Sequence, residues 1–113
     1  MTYNVQLTPS FKHSVKKLKR RYAHLQDDIR DGVELLLQIP KLGVVIPNSG
    51  GIRKVRLPNR DAKRGKSGGY RLLYYLEDDQ SQTLYLLFVY SKSDRADVTQ
   101  GELIQLLDEV RES

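Results

Sequence analysis

The sequence predicts an α+β fold in which a small, mostly antiparallel sheet carries two N-terminal helices packed on one of its faces. Three observations support this class. Residues 3–7 alternate between apolar and polar side chains, two segments with helical periodicity follow them, and three strand-like segments occupy residues 52–91. A last helix completes the order β-α-α-β-β-β-α. No repeat or low-complexity segment interrupts these elements, so we expect one domain over residues 1–113.

The first strand and the first helix are indicated by alternation and by a capping signal. Tyr3–Leu7 has the period of a half-buried strand. Thr8 is a suitable N-cap, and Pro9 is tolerated at the first helical position. The helix then presents an apolar face formed by Phe11, Val15, Leu18 and Tyr22. Six cations and no acid occupy its other faces, which fits either a nucleic-acid contact or a solvated surface: Lys12, Lys16, Lys17, Lys19, Arg20 and Arg21.

A second helix is predicted at about His24–Ile39. Its inward stripe has helical spacing and consists of Leu25, Ile29, Val33 and Leu36. Three aspartates lie in its first turns, where the helix dipole favours carboxylates: Asp27, Asp28 and Asp31. Pro40 ends the helix, and a short arm at residues 41–49 leads to the strands.

Three further strands are predicted at Ile52–Leu57, Tyr70–Glu77 and Thr83–Ser91, with an antiparallel hairpin between the last two. Side chains alternate along a strand, so shared faces follow directly from the spacing. Lys54 and Arg56 share a face in the first of these strands. The same rule groups Arg71, Leu73 and Tyr75 in the second strand, and Leu86, Phe88, Tyr90 and Lys92 in the third. Cations and a tyrosine from neighbouring strands are therefore expected to converge.

A capping box predicts the start of the last helix. Thr99 and Glu102 have the spacing at which each side chain satisfies a free backbone donor of the first turn. The apolar face that follows consists of Leu103, Ile104, Leu106, Leu107 and Val110. A helix is therefore expected to begin directly after Thr99.

Positive charge is concentrated between Arg53 and Arg71. This stretch holds eight cations and one acid, Asp61, although the whole chain has a net charge of only +5. A focused cationic surface on a small sheet favours a partner with a phosphate backbone. The chain has no cysteine, which excludes disulfides, thiolate metal sites and a cysteine nucleophile. It has neither the roughly 18-residue apolar run of a membrane span nor the pattern of a signal peptide, so we expect no membrane partner and a cytoplasmic location.

Several segments, in order, resemble toxins of the RelE/HigB family. The likeness is strongest in two segments. These are Gly65–Arg71 (GKSGGYR), which continues into Leu72–Tyr75, and Leu86–Ser93 (LLFVYSKS). Gly51–Arg56 and Pro40–Gly43 fit the same pattern. The resemblance spans nearly the entire chain and implies a RelE-like microbial ribonuclease-type fold. It also implies a toxin of a type II toxin–antitoxin system.

The same resemblance implies an activity and partners. Toxins of this family are mostly ribosome-dependent endoribonucleases, or mRNA interferases, that cut mRNA in the ribosomal A site. The expected partners are therefore the ribosome with its rRNA, mRNA, and a cognate antitoxin, which often has a helix-turn-helix domain. The related ParE group shares the fold but poisons DNA gyrase. A gyrase inhibitor, a plain RNA-binding module and a toxin that has lost its activity are the alternatives.

RNA can be cut without a metal when its 2′-hydroxyl attacks the adjacent phosphate and the 5′-oxygen leaves. This reaction needs a proton acceptor, a proton donor and cations where negative charge grows. No metal or other cofactor is expected, and both histidines, His13 and His24, lie far in sequence from the basic strands. The site is instead expected to use cations and a tyrosine. Neighbouring positive charges should lower the pKa of a lysine or a phenol and so ready it to accept a proton.

The resemblance also assigns residues to this chemistry. It implies catalytic roles for Lys54 and Arg56, stabilisation of the phosphate by Arg71, and proton transfer by Tyr90 and Lys92. At positions 90–92 the chain departs from the histidine-bearing members of the family, and the strand Ile52–Leu57 lacks a glutamate base. The residues expected to bind RNA are Arg53, Lys63, Arg64, Lys66, Lys16 and Arg20.

Each assignment has a structural alternative. Arg71 has the alternative role of pairing with an acid such as Asp61. Gly68 and Gly69 allow either a close approach of the backbone to a phosphate or a loop with unusual dihedral angles. Most of the tyrosines are expected to pack in the sheet rather than stack on bases, with Tyr90 as the exception.

Overall fold

A computed structural model describes residues 2–62 and 69–112 of the chain. It confirms the predicted α+β class and the predicted order of elements. The elements are β1 (Asn4–Leu7), α1 (Pro9–Lys19), α2 (Leu25–Gln38), β2 (Val44–Val45), β3 (Arg53–Leu57), β4 (Tyr70–Glu77), β5 (Thr83–Ser91) and α3 (Gln100–Arg111). Among these residues, no helix is long and apolar enough to cross a membrane.

The strands form one sheet in the order β1-β5-β4-β3-β2. β1 runs parallel to β5, and the other neighbouring strands are antiparallel. β2 was not predicted, because two residues are too few to show alternation. It lies in the predicted arm and pairs with β3 through Val44 and Val45 at the outer edge of the sheet.

The helix boundaries follow the capping signals. The Thr8 side chain accepts a hydrogen bond from the Phe11 N–H, which begins α1 at Pro9. The predicted capping box is present at α3, where Thr99 and Glu102 bond reciprocally. The second helix is one residue shorter at each end than predicted. At its C-terminal end Ile39 leaves helical geometry at φ −129°, because the following Pro40 disfavours a helical residue before it.

The two faces of the sheet are buried under different helices. Helices α1 and α2 cover one face, where Phe11, Leu25 and Leu36 pack with Leu72 and Tyr74. This confirms the predicted packing of the two N-terminal helices. Helix α3 covers part of the other face through a smaller core, which consists of Ile52, Leu73, Leu87, Leu103, Leu106, Leu107 and Val110. We call the second surface the α3 face.

A bulge in β5 overturns one predicted grouping. Leu73 pairs with Phe88, but the next pair is Tyr74 with Leu86, so Leu87 is an extra residue in β5. Leu86 therefore packs under α1 and α2, whereas Phe88 lies on the α3 face. The prediction that Leu86 shares a face with Phe88 and Tyr90 is wrong, because strict alternation fails at a bulge.

Candidate functional site

Three polar side chains lie side by side on the α3 face. Arg56 of β3 pairs across the strands with Arg71 of β4, and Arg71 pairs with Tyr90 of β5. Directly opposite residues in a sheet have Cβ atoms about 4.5–5.5 Å apart. The structure thus brings two cations and a phenol into one row, which we call the cross-strand row. Its members differ in exposure, since Arg56 is exposed, whereas Arg71 and Tyr90 are buried.

Two lysines flank this row, and one of them, Lys54, binds a carboxylate. Lys54 lies two residues before Arg56 on the same face, and its Nζ is 3.4 Å from Asp97 Oδ1. Lys92 follows the end of β5, and its Nζ donates to the Ala96 carbonyl at 3.0 Å. The pKa of Asp97 is lowered, mainly by the Val98 N–H and also by the positive charges of Lys54 and Lys92. Lys54 and Lys92 are therefore brought together with the row.

Tyr90 sits in a mixed aromatic and charged environment. Its ring centroid is 5.9 Å from that of Phe88, and the Arg95 guanidinium carbon lies 5.7 Å from the Tyr90 centroid. Within the described part of the chain, the Tyr90 hydroxyl has no hydrogen-bond partner. Burial raises the pKa of the Tyr90 phenol, and Asp97 adds to the rise, although Arg71 and Arg95 act against it.

This result corrects the expected protonation of the phenol. Neighbouring cations were expected to lower its pKa and so make it a proton acceptor. The prediction is wrong for Tyr90, because the loss of hydration on burial outweighs the positive charges of Arg71 and Arg95. A phenol that keeps its proton at neutral pH is suited to donate it.

Arg71 lies at the centre of the row and is 9% exposed. Its Nη1 donates to the Tyr70 carbonyl at 3.3 Å. The acid considered as its partner in the sequence, Asp61, is bound elsewhere. Asp61 accepts a hydrogen bond from the His24 N–H at 2.6 Å, and its other oxygen is 2.7 Å from His24 Nδ1. Asp61 therefore serves the start of α2.

Sequence reasoning missed the residues that close over Tyr90. Arg95 forms a two-pronged ion pair with Glu102, with distances of 2.6 and 3.0 Å. Glu102 was predicted only as the capping-box acid, and it performs that role as well, accepting from the Thr99 N–H at 2.8 Å. Arg95 and Asp97 lie in a segment without periodicity. The one signal in the sequence for a role of these residues was the high density of charged residues between β5 and the N-cap of α3.

Three of the six residues predicted to bind RNA lie within the part of the chain that the structure describes. Arg53 points away from the α3 face, and its Nη1 donates to the Gly43 carbonyl at 2.7 Å, which ties the arm before β3 to the sheet. Lys16 of α1 and Arg20, which directly follows α1, are exposed. Lys63, Arg64 and Lys66 lie outside the described residues, as does Gly68. Gly69 has φ +53°, so the predicted need for unusual dihedral angles is confirmed there.

Neither histidine belongs to the cross-strand row, but His13 shares a cavity with Tyr90 at one end of it. This cavity has a volume of about 270 Å³ and lies between α1 and the end of β5, where Arg21, Asp94 and Arg95 also line it. His24 precedes α2, and its pKa is raised by the bond to Asp61. Within residues 2–62 and 69–112, no group of three or more His, Asp or Glu side chains could hold a metal ion.

Comparisons with known proteins agree with the fold. The family model described as "ParE toxin of type II toxin-antitoxin system, parDE" matches residues 5–96. Among solved structures, the chain is similar to a mutant of the Escherichia coli toxin RelE in the free state, with a TM-score of 0.58. The two sequences are 13% identical, and the match covers 99% of this chain and 97% of that one. At this identity the second likeness concerns the fold alone.

Proposed function

Since this chain belongs to the ParE toxin family, within the RelE/ParE superfamily of type II toxin–antitoxin toxins, we propose that it is a ribosome-dependent mRNA endoribonuclease. In this proposal the toxin cleaves translated mRNA in the ribosomal A site and so stops translation and growth. A type II toxin implies an antitoxin partner, which would neutralise the activity. The cleavage would use the chain's own cations and phenol.

The observation that carries this proposal is the cross-strand row with its two flanking lysines. Arg56, Arg71 and Tyr90 come from three adjacent strands and lie on one face. Lys54 lies beside them 3.4 Å from Asp97, and the positive charge of Lys92 also acts on Asp97. A phosphodiester under attack carries growing negative charge, which preorganised cations stabilise strongly. A protein that only inhibits gyrase has no need for this arrangement.

Each residue has a definite task in the proposed reaction. A base accepts the proton of the 2′-hydroxyl, whose oxygen then attacks the neighbouring phosphorus. Arg71 and Arg56 stabilise the charge on the phosphate oxygens. Tyr90 donates its proton to the departing 5′-oxygen, which agrees with the raised pKa of its phenol. The products are a 2′,3′-cyclic phosphate and a 5′-hydroxyl end, and Lys54 and Lys92 are the two candidates for the base.

The second candidate function is inhibition of DNA gyrase without nuclease chemistry. The observation that favours it is the family match, because the matched model is that of the ParE toxins. The two candidates differ in their products. A nuclease leaves cut transcripts, whereas a gyrase inhibitor leaves transcripts intact and blocks supercoiling of DNA.

The test is induction of the wild-type chain in bacteria beside Arg71→Ala and Lys92→Ala, with transcript ends mapped by sequencing. Arg30→Ala is the matched control, because it also removes one positive charge, from an exposed position on α2 that pairs with Asp27. We expect growth arrest and new 5′-hydroxyl ends with the wild type and with Arg30→Ala, and few such ends with Arg71→Ala. Growth arrest with intact transcripts and inhibited supercoiling would favour the gyrase inhibitor. Absence of growth arrest would leave a plain RNA-binding module or an inactive toxin.

A further inference from the structure

The centre of the proposed site is closed in this structure. Tyr90 is 4% exposed and Arg71 is 9% exposed. A scissile phosphate must contact both groups in the proposed reaction, so part of the chain has to move before RNA can bind there. The segment that follows β5, residues 92–99, contacts two members of the proposed site, Tyr90 and Lys54. It supplies Arg95, which lies over the Tyr90 ring, and Asp97, which binds Lys54. We call this segment the lid.

Side-chain pairs hold the lid in place. Asp94 is 2.8 Å from Arg21, which follows α1, and Arg95 is 2.6 Å from Glu102 of α3. Asp97 is 3.4 Å from Lys54 of β3. Solvent reaches these pairs, since the side chain of Asp97 is 63% exposed and that of Lys54 is 31% exposed. Ion pairs of this kind contribute little net stability, so they can exchange partners readily.

Asp97 is the anion that Lys54 binds in this structure. Its carboxylate lies next to Lys54 and within the electrostatic influence of Lys92, the two lysines that flank the cross-strand row. The Val98 N–H also donates to it at 2.9 Å. Asp97 is ionised at neutral pH, as an ordinary aspartate is, and its lowered pKa extends the ionised form to more acidic pH. A carboxylate bound by a lysine and a backbone donor resembles a bound phosphate in charge and in hydrogen bonding.

We propose that residues 92–99 form a self-inhibitory lid in which Asp97 stands in for the RNA phosphate at Lys54, so that RNA must displace Asp97 to reach Arg71 and Tyr90. The inference rests on the proposed nuclease function. It goes further by giving the free toxin a closed state that a competing polyanion opens. RNA fixed on the ribosome is such a polyanion, and the lid would spare short free RNA.

Binding of a non-cleavable RNA measures the competition without relying on catalysis. The probe is a fluorescent 2′-O-methyl oligonucleotide, titrated with the purified chain over a series of salt concentrations. Asp97→Asn removes the competing charge and keeps an acceptor for the Val98 N–H. The matched control is Asp79→Asn, which makes the same change in net charge in the exposed turn between β4 and β5, at the far end of the strands from Tyr90.

We expect Asp97→Asn to bind the probe about two- to fivefold more tightly than the wild type, in line with the strength of an exposed ion pair. Its plot of log affinity against log salt should steepen by about 0.7, because one more lysine is free to neutralise a phosphate of a single strand. Asp79→Asn should match the wild type. Equal affinities for Asp97→Asn and Asp79→Asn would overturn the inference, as would weaker binding by Asp97→Asn.

A double variant ties the effect to the named contact. In a Lys54→Ala background, Asp97→Asn should no longer improve binding, because the partner of the carboxylate is gone. An undiminished gain would overturn the inference. Asp97→Ser, whose hydroxyl also accepts from a backbone N–H, repeats the test should the asparagine variant fail to fold. Cleavage of mRNA on ribosomes by the wild type is scored separately, so a failure of the proposed function is distinguished from a failure of the lid.

Discussion

Replacing Tyr90 by phenylalanine should change activity and stability in opposite directions. The ring fills the same space between Phe88 and Arg95, so packing is retained. The lost group is a buried hydroxyl that has no hydrogen-bond partner within the described residues. In the proposed reaction this hydroxyl donates the proton to the departing 5′-oxygen. The variant therefore removes one functional atom and leaves its surroundings unchanged.

The expected magnitudes follow from this environment. An unsatisfied buried polar group costs about 1–3 kcal/mol, so its removal should raise the free energy of unfolding by on the order of 1 kcal/mol. For a domain of this size the melting temperature should rise by about 4 °C. A positioned general acid contributes roughly 10²–10⁴-fold to a rate, and Tyr90→Phe should slow cleavage by a factor in this range.

Tyr70→Phe is the matched control for Tyr90→Phe. Tyr70 is fully buried, and its hydroxyl has no partner among the described residues either, but it packs on the opposite face of the sheet beneath α1 and α2. The assays are thermal unfolding and cleavage of a defined mRNA on purified ribosomes. Tyr70→Phe should gain similar stability and keep full activity. Wild-type cleavage by Tyr90→Phe, or an equal loss of activity in Tyr70→Phe, would refute the assignment of Tyr90 as the acid.

Two further predictions concern the fold. Gly69→Ala should cost about 1–3 kcal/mol of stability in urea unfolding, because Gly69 has φ +53° and an added Cβ would lie 2.3 Å from the Leu57 carbonyl oxygen. Its control, Gly101→Ala in α3, meets nothing within 4 Å and should be stabilising; equal losses in the two variants would contradict this explanation. His24→Gln should lower the melting temperature at pH 5.5 and have little effect at pH 8.5. The bond to Asp61 raises the folded-state pKa of His24, so its stabilisation is complete below the ordinary value and is lost as pH rises through the raised one. A deficit that does not change with pH would exclude this linkage.

The parts of the fold that the sequence predicted are those specified locally. Thr8 and Pro9 mark the start of α1, and the capping box of Thr99 and Glu102 marks the start of α3. Alternation placed β4 at Tyr70–Glu77 without error. Each of these signals acts within a few residues, so no knowledge of distant contacts is needed to interpret it.

The parts that were missed depend on contacts distant in sequence. The bulge at Leu87 arises from the pairing of β4 with β5, and neither strand's own pattern reveals it. β2 is a strand only because Val44 and Val45 pair with β3.

The site follows the same division. The alternation of side chains, together with the family resemblance, predicted that one face of the sheet carries Lys54, Arg56, Arg71 and Tyr90. The partners of Arg95 and Asp97 could not be predicted, because the direction of a side chain in an irregular segment depends on its tertiary contacts. The protonation of Tyr90 was missed for a related reason, since its burial depends on how the rest of the chain packs around β5, which the alternation of the strand does not reveal.

The most direct test of the account is cleavage of a defined mRNA on purified translating ribosomes by the wild-type chain and by Arg71→Ala, with the new ends identified chemically. The account predicts cuts in the A-site codon that leave 5′-hydroxyl ends. Arg71→Ala should be slower by about 10²–10³-fold, the effect of losing one preorganised stabiliser of growing charge. Equal rates for the two proteins would contradict the account, as would an intact mRNA with a wild-type chain that instead blocks supercoiling by gyrase.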